Sequence, residues 1–193
     1  MSAIPSKINI GLLFIAGQIL LACLPEVSST EQPSAWTKSH RLGNGDIIAT
    51  APVGYCVNRS ARPTANFVLM VNCDVLTDQA RTAPKSRGIL TVSSSGRLGD
   101  QAQVIDLEKS LGEGSTQSTK VPGLVVRQMT EQTTPRLPGA APNHWRGLLQ
   151  YNNRIVSFAA YGPEGGSVTG SAGKRLLENL AKETVSASQP SGQ

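Results

Sequence analysis

The sequence predicts an α+β domain: a mostly antiparallel sheet with packed helices, ending in a β-hairpin and an amphipathic C-terminal helix. Three observations carry this expectation. The runs His144–Tyr151 and Arg154–Tyr161 are β-prone and flank Asn152-Asn153, and asparagine tolerates the positive φ that a two-residue type I′ turn demands. Beyond Gly170, apolar residues recur with helical spacing at Ala172, Leu176, Leu177, Leu180, Ala181 and Val185. The composition agrees: only 16% of the 193 residues are charged and 4% aromatic, while Gly (19) and Pro (12) are ample. Such a chain builds a modest, turn-rich core, and a coiled coil is excluded.

The hairpin defines its own register. With a two-residue loop, Tyr151 faces Arg154, and Trp145, Gly147 and Leu149 fall opposite Ala160, Phe158 and Val156 on one face. Arg146, Leu148 and Gln150 share the other, wetter face with Ala159, Ser157 and Ile155, as expected where only one side is a core. Gly147 is expected to leave room for the Phe158 ring across the strands.

Residues 1–22 read as a signal peptide of the lipoprotein type. Lys7 is the one charge before an apolar run from Ile8 to Ala22, which is too short and too polar for a comfortable membrane span. The run ends in Leu20-Leu21-Ala22-Cys23, which resembles the bacterial lipobox. That resemblance implies cleavage before Cys23, lipidation of Cys23, and attachment to a membrane through that lipid anchor. A simple cleaved secretory signal and an uncleaved anchor are the alternatives. Leu24, rather than aspartate, follows the cysteine, and the sorting rule of such lipoproteins then implies the outer membrane, facing the periplasm. A soluble periplasmic or secreted protein is the alternative. Residues 23–40 are rich in Ser, Thr, Pro and Glu without periodicity, and are expected to be a flexible tether. Trp36 within it either docks on the domain or stands exposed.

A single domain is expected over 41–186, followed by a disordered tail at 187–193. Gly43-Asn44-Gly45 is a turn, 46–50 a short strand, and 51–57 extended after Pro52. A polar loop at 58–66 leads into the strong strand 67–73, and 88–94 is another. From Asp100 to Leu111 the pattern becomes helical: Val104, Leu107 and Leu111 form a stripe, Asp100 and Gln103 a capping box, and Gly112 the stop. A strand at 123–129 follows a loop at 115–120. Residues 133–143 hold three prolines and make a long excursion before the hairpin, and 162–170 is a glycine-rich loop.

The net charge of +5 is mild and its basic residues are scattered, with no basic block and no interleaved aromatics. A nucleic-acid partner is not expected. Cys56 and Cys73 are the two cysteines of the folded part. A disulfide between them would close the loop at about 3 kcal/mol in the chain-entropy model. A redox pair or a metal site is the alternative, disfavoured because there is no Cys-x-x-Cys and the two histidines, His40 and His144, are far apart. Gly170-Ser-Ala-Gly-Lys174 opens a helix but fails as a phosphate loop, since Val168 and Arg175 occupy key positions, and it reads as a helix start with solvated cations. His144 is a candidate general base, yet no Gly-x-Ser-x-Gly elbow accompanies it, and at the start of a strand it reads as a surface residue. No catalytic, cofactor-binding or metal-ligating set is therefore expected.

The order of strands, helix, strand, tryptophan-bearing hairpin and final amphipathic helix looks like the PsbP-like fold of photosystem extrinsic subunits and many bacterial envelope proteins. Gly54-Tyr-Cys56, Phe67-Val-Leu with Cys73, Arg154-Ile-Val-Ser157 and Gly173-Lys-Arg-Leu-Leu-Glu178 are similar to uncharacterised alphaproteobacterial envelope proteins. Fold does not fix function. The expectation is a non-catalytic cell-envelope lipoprotein acting as a binding or assembly accessory for another envelope protein. The alternatives are an envelope hydrolase with a site near His144 or at the serine of the 162–170 loop, and a small-ligand carrier. The 133–143 and 162–170 loops are expected at one end of the sheet, opposite the Asn-Asn turn, as the contact surface.

Overall fold

The computed structural model describes residues 35–77, 88–99, 105–113, 116–130 and 139–189. The signal segment, Cys23, most of the tether, and residues 133–138 of the proline-rich excursion lie outside them. In chain order the strands are β1 (Trp36–Thr37), β2 (Ser39–Leu42), β3 (Ile47–Thr50), β4 (Tyr55–Asn58), β5 (Phe67–Asn72), β6 (Ile89–Ser94), β7 (Val125–Thr130), β8 (Asn143–Tyr151) and β9 (Arg154–Tyr161). A short helix, α1 (Leu107–Ser110), precedes β7, and the long helix α2 (Ser171–Ser188) closes the domain. The fold is mixed α+β. Seven strands form one antiparallel sheet in the order β1-β4-β5-β6-β9-β8-β7, and β2 with β3 forms a separate two-stranded sheet.

The β8–β9 hairpin has the register read from the sequence: Tyr151 pairs with Arg154, Leu149 with Val156, Gly147 with Phe158 and Trp145 with Ala160. Asn152 (φ 47°) and Asn153 (φ 58°) both adopt the left-handed conformation that this turn requires. One face of the sheet carries Met70, Leu90, Val92, Val126, Trp145, Leu149, Val156 and Phe158, all buried, and packs against Leu177, Leu180 and Ala181 of α2. Gly147 serves this layer, but not for the partner expected. A Cβ there would lie 2.9 Å from Leu177 Cδ2 and 3.3 Å from Leu124 Cδ1. The vacancy admits the helix rather than the Phe158 ring.

The small β2–β3 sheet completes the layer beside α2. Leu42, Ile47 and Ala49 are fully buried in the same core. Strand β3 would leave bare N–H groups along its outer edge, and α2 covers them with hydroxyls. The Ile48 N–H donates to Ser188 Oγ at 2.7 Å and the Thr50 N–H to Thr184 Oγ1 at 3.3 Å. Ser188 in turn donates to the Thr184 carbonyl at 2.7 Å. A covered edge neither frays nor templates another strand.

Several boundaries differ from the sequence expectation. The tether does not extend to residue 40: Trp36 and Thr37 pair with Asn58 and Val57, and β2 begins at Ser39. Lys38 between them donates to the Tyr55 carbonyl at 2.7 Å. Backbone pairing, which has no side-chain period in so short a stretch, is what the composition could not show. At the other end α2 continues to Ser188, past Val185, where the helical pattern ends, and past the expected domain limit at 186; the Ser188 hydroxyl is committed to β3. Of the helix expected from Asp100, the described residues contain Leu107–Ser110, with Asp106 as its N-cap, the carboxylate accepting the Lys109 N–H at 3.0 Å. The proposed Asp100–Gln103 capping box lies outside the described residues, whereas Gly112 (φ 92°) does follow the helix end.

Candidate functional site

Helix α2 has two stripes. The inner one, Gly173, Leu177, Leu180, Ala181, Thr184 and Ser188, is buried against the sheets. The outer one steps Ser171, Lys174 and Arg175, Glu178 and Asn179, Lys182, Val185 and Ser186, Gln189, and lines one wall of an open groove. The opposite wall is the connection 117–122 that leads into β7. Two adjoining clefts of about 440 and 560 Å³ make up the groove, sharing Lys120, Glu178 and Asn179.

The 117–122 wall is fixed by its own hydrogen bonds. The Gln117 N–H donates to the Val126 carbonyl at 2.8 Å, adding one bridge to the edge strand β7. Thr119 Oγ1 lies 2.9 Å from the Val121 carbonyl and 3.0 Å from that of Leu124, tightening the turn. Lys174 then clips this wall to the helix: its Nζ donates to the Ser118 carbonyl at 2.6 Å and lies 3.7 Å from Glu178 Oε1. Both walls are thus held before any partner arrives, which lowers the ordering cost of binding.

The charge of the groove is one-sided. Four cations, Lys120, Lys174, Arg175 and Lys182, face one carboxylate, Glu178. Lys174 and Glu178 are largely buried, with side chains 22% and 13% exposed, and satisfy each other. Arg175 leans on Ser171 Oγ at 3.4 Å, and among the described residues no carboxylate pairs with Lys120, Arg175 or Lys182. At one end Val121, Pro122 and Val185 add an apolar patch. An anionic, partly apolar partner is what such a surface can hold.

A second charged cluster is a latch. Asp46 accepts Arg97 Nη2 and Arg154 Nε, each at 2.9 Å, and Arg154 Nη1 donates to the Ser95 carbonyl at 2.6 Å. Asn152 Nδ2 donates to the Asp46 carbonyl at 2.8 Å. Arg97, and after it Arg154, hold the Asp46 carboxyl below its ordinary value, and Asp46 raises the Arg97 guanidinium in return. The latch joins the β2–β3 sheet to the hairpin turn, and the carboxylate is used up by it.

The residues singled out from the sequence fall as follows. Cys56 and Cys73 are bonded to each other, with Cα atoms 5.0 Å apart, and Cys56 is fully buried. Cys23 lies outside the described residues. His144 is not a surface residue: it is 1% exposed, stacked on Tyr161 with ring centroids 4.7 Å apart and planes 18° from parallel. The β8 start is deeper than expected because the Tyr161 ring at the end of β9 lies over the imidazole, whereas Arg146, two residues on, stays exposed. His40 is in β2, its Nε2 2.9 Å from the Thr64 carbonyl. Among the described residues no three metal-ligating side chains gather. The two loops expected at one end do meet there, in their described parts: the Ala141 N–H donates to the Gly162 carbonyl at 2.8 Å.

The groove itself was not anticipated. Lys174, Arg175 and Lys182 carry the signal, as a second stripe at helical spacing opposite the apolar one, but its other wall comes from residues 50 positions upstream or more, which no local pattern reveals. Compared with known proteins, the chain matches no protein-family model, no curated protein and no solved structure.

Proposed function

We propose that this chain is a non-catalytic cell-envelope lipoprotein, anchored through Cys23 at the outer membrane and facing the periplasm, that acts as a binding or assembly accessory. The observation that carries the reading is the preformed basic groove between α2 and residues 117–122, a contact surface on a rigid helix. The Cys56–Cys73 bridge supports it, since disulfides persist in oxidising compartments such as the bacterial periplasm. The burial of His144 weighs against the hydrolase alternative, because a general base must come within hydrogen-bond reach of its substrate. The PsbP-like layered fold and the kinship to alphaproteobacterial envelope proteins belong to this proposal through the sequence resemblance, beside an observed α+β domain with a large antiparallel sheet and a C-terminal helix.

Three measurements test this reading. Metabolic labelling with a fatty-acid analogue is expected to mark the wild type and not Cys23→Ser; equal labelling of both rejects the anchor. Crosslinking of the tagged full chain in envelopes is expected to trap a protein partner with the wild type and lose it with Arg175→Glu/Lys182→Glu. A partner trapped equally by the wild type and by this double variant removes the groove from the function. Turnover in a hydrolase screen, abolished by His144→Ala in a folded protein, would replace the reading with the enzymatic one.

A further inference from the structure

The groove is specific enough to describe its occupant, and the description rests on the binding-accessory reading. We propose that it takes an extended acidic segment of a partner protein, about eight residues long, with two carboxylates three positions apart and an apolar side chain towards one end.

The length follows from the helix. The groove-lining stripe runs from Ser171 to Gln189, essentially the whole of the 18-residue α2. At 1.5 Å per residue that is about 27 Å. An extended chain of polyproline II type, rising about 3.1 Å per residue, covers it with about eight to nine residues. The carboxylate spacing follows in the same way. Arg175 and Lys182 are two helical turns apart on one face, so about 10 Å separates them along the axis, and an extended chain of polyproline II type, with three residues per turn and a rise of about 3.1 Å, returns every third side chain to the same face after nearly that distance. Lys120 flanks them from the opposite wall. Glu178 does not oppose this, since Lys174 already holds it at 3.7 Å. The apolar requirement comes from Val121, Pro122 and Val185, which line only the cleft nearer the C-terminal end of α2.

Other polyanions fit less well. None of the lining residues is aromatic, so a nucleic-acid strand would find no base-stacking platform. An anionic bilayer is met best by apolar side chains that protrude into it, whereas Val121 and Val185 are half-buried in the walls. A single small anion would use one cation and leave the others of the stripe unanswered.

The test uses the full chain in detergent and an immobilised octapeptide library built from Glu, Ala, Ser and Leu. Retained peptides are expected to be enriched in Glu pairs three positions apart with Leu at one end. A retained peptide, synthesised with fluorescein, should bind at least tenfold more weakly when its glutamates become glutamines, and at least tenfold more weakly to Arg175→Glu/Lys182→Glu. Circular dichroism of that variant should match the wild type, since both side chains are exposed. A retained set without Glu enrichment, or binding unchanged by the variant, overturns the proposal. So does sedimentation with phosphatidylglycerol vesicles that the same variant abolishes while the peptides stay unbound. If envelope crosslinking remains sensitive to Arg175→Glu/Lys182→Glu but no acidic peptide binds, the occupant is wrong and the accessory reading stands; if both are insensitive, both fall.

Discussion

Gly173→Ala sets helix propensity against packing, and the two predict opposite signs. Gly173 lies in the first turn of an 18-residue helix, where alanine is intrinsically better than glycine by about 1 kcal/mol. The structure leaves no room for the methyl group. A Cβ at 173 would lie 1.8 Å from the Val168 carbonyl oxygen and 2.6 Å from Trp145 Cδ1. The first contact is backbone, in a 3-10 turn at Ser167–Thr169 that continues directly into α2, so it cannot rotate aside. The second is the Trp145 ring, 3% exposed and tied by its Nε1–H to the Gly170 carbonyl at 2.8 Å. Relief requires the helix start to lift by more than an ångström, an overpacking cost of about 3 kcal/mol, with about 1 kcal/mol more for a lost hydrogen bond. Against the propensity gain, the net loss is about 3 kcal/mol. For a domain of this size that lowers Tm by roughly 6–12 °C. Urea unfolding followed by tryptophan fluorescence, with thermal melts beside it, measures both values. A Tm equal to or above that of the wild type would refute the claimed closeness of α2 to Trp145.

Phe158→Ala removes a fully buried ring from the centre of the sheet and is expected to cost about 3–5 kcal/mol, whereas Gln150→Ala, exposed on the other face, should stay within about 0.5 kcal/mol; equal shifts in urea midpoint would contradict the register. The Asp46 carboxyl, depressed by Arg97 and Arg154, contributes stability that is present above its unfolded value near 3.8 and is lost as pH falls through the lower folded value. Midpoints measured from pH 7 down to pH 2 should therefore show a decline on the acid side that is shallower in Asp46→Asn, and parallel curves would exclude the latch as its source. Replacing Cys56 and Cys73 with serine frees the loop of 17 residues' separation and should cost about 3 kcal/mol; an unchanged midpoint for the double variant, compared with oxidised wild type, would show that the bridge does not constrain the unfolded chain.

The parts legible in the sequence were those with a local physical signature. Asn152-Asn153 between two β-prone runs sets a turn type, a turn type sets a register, and the register sets which side chains are inside. The Cys56–Cys73 pairing was equally accessible, because two cysteines in the folded part admit one bridge. What was not legible depends on partners distant in sequence. Trp36–Thr37 becomes a strand only because Val57–Asn58 offers an edge. His144 is buried under the ring of Tyr161, 17 positions along the chain, which the pairing of β8 with β9 brings over it. Thr184 and Ser188 break the apolar pattern of α2, and the pattern therefore ends too early; their hydroxyls answer the N–H groups of a strand more than 130 residues away. The vacancy at Gly147 was read correctly as a vacancy but assigned to the residue across the hairpin, since the approach of Leu177 is a tertiary event.

These misses bear on function through α2. The helix is held by its inner stripe through three kinds of contact: apolar packing of Leu177 and Leu180, close approach at Gly173, and the Thr184 and Ser188 hydroxyls on β3. None of these uses Arg175 or Lys182. Stability and surface charge are therefore written on opposite faces of the same helix, and changes to one face should leave the other intact. Effects of substitutions on such separated faces are additive unless the sites share a partner. Lys174 is the exception, since it reaches across to the Ser118 carbonyl and holds the second wall. Charge reversal at Arg175 and Lys182 therefore reports on binding alone, while Lys174→Glu would alter the shape of the groove together with its charge. That distinction is why the binding experiments leave Lys174 in place.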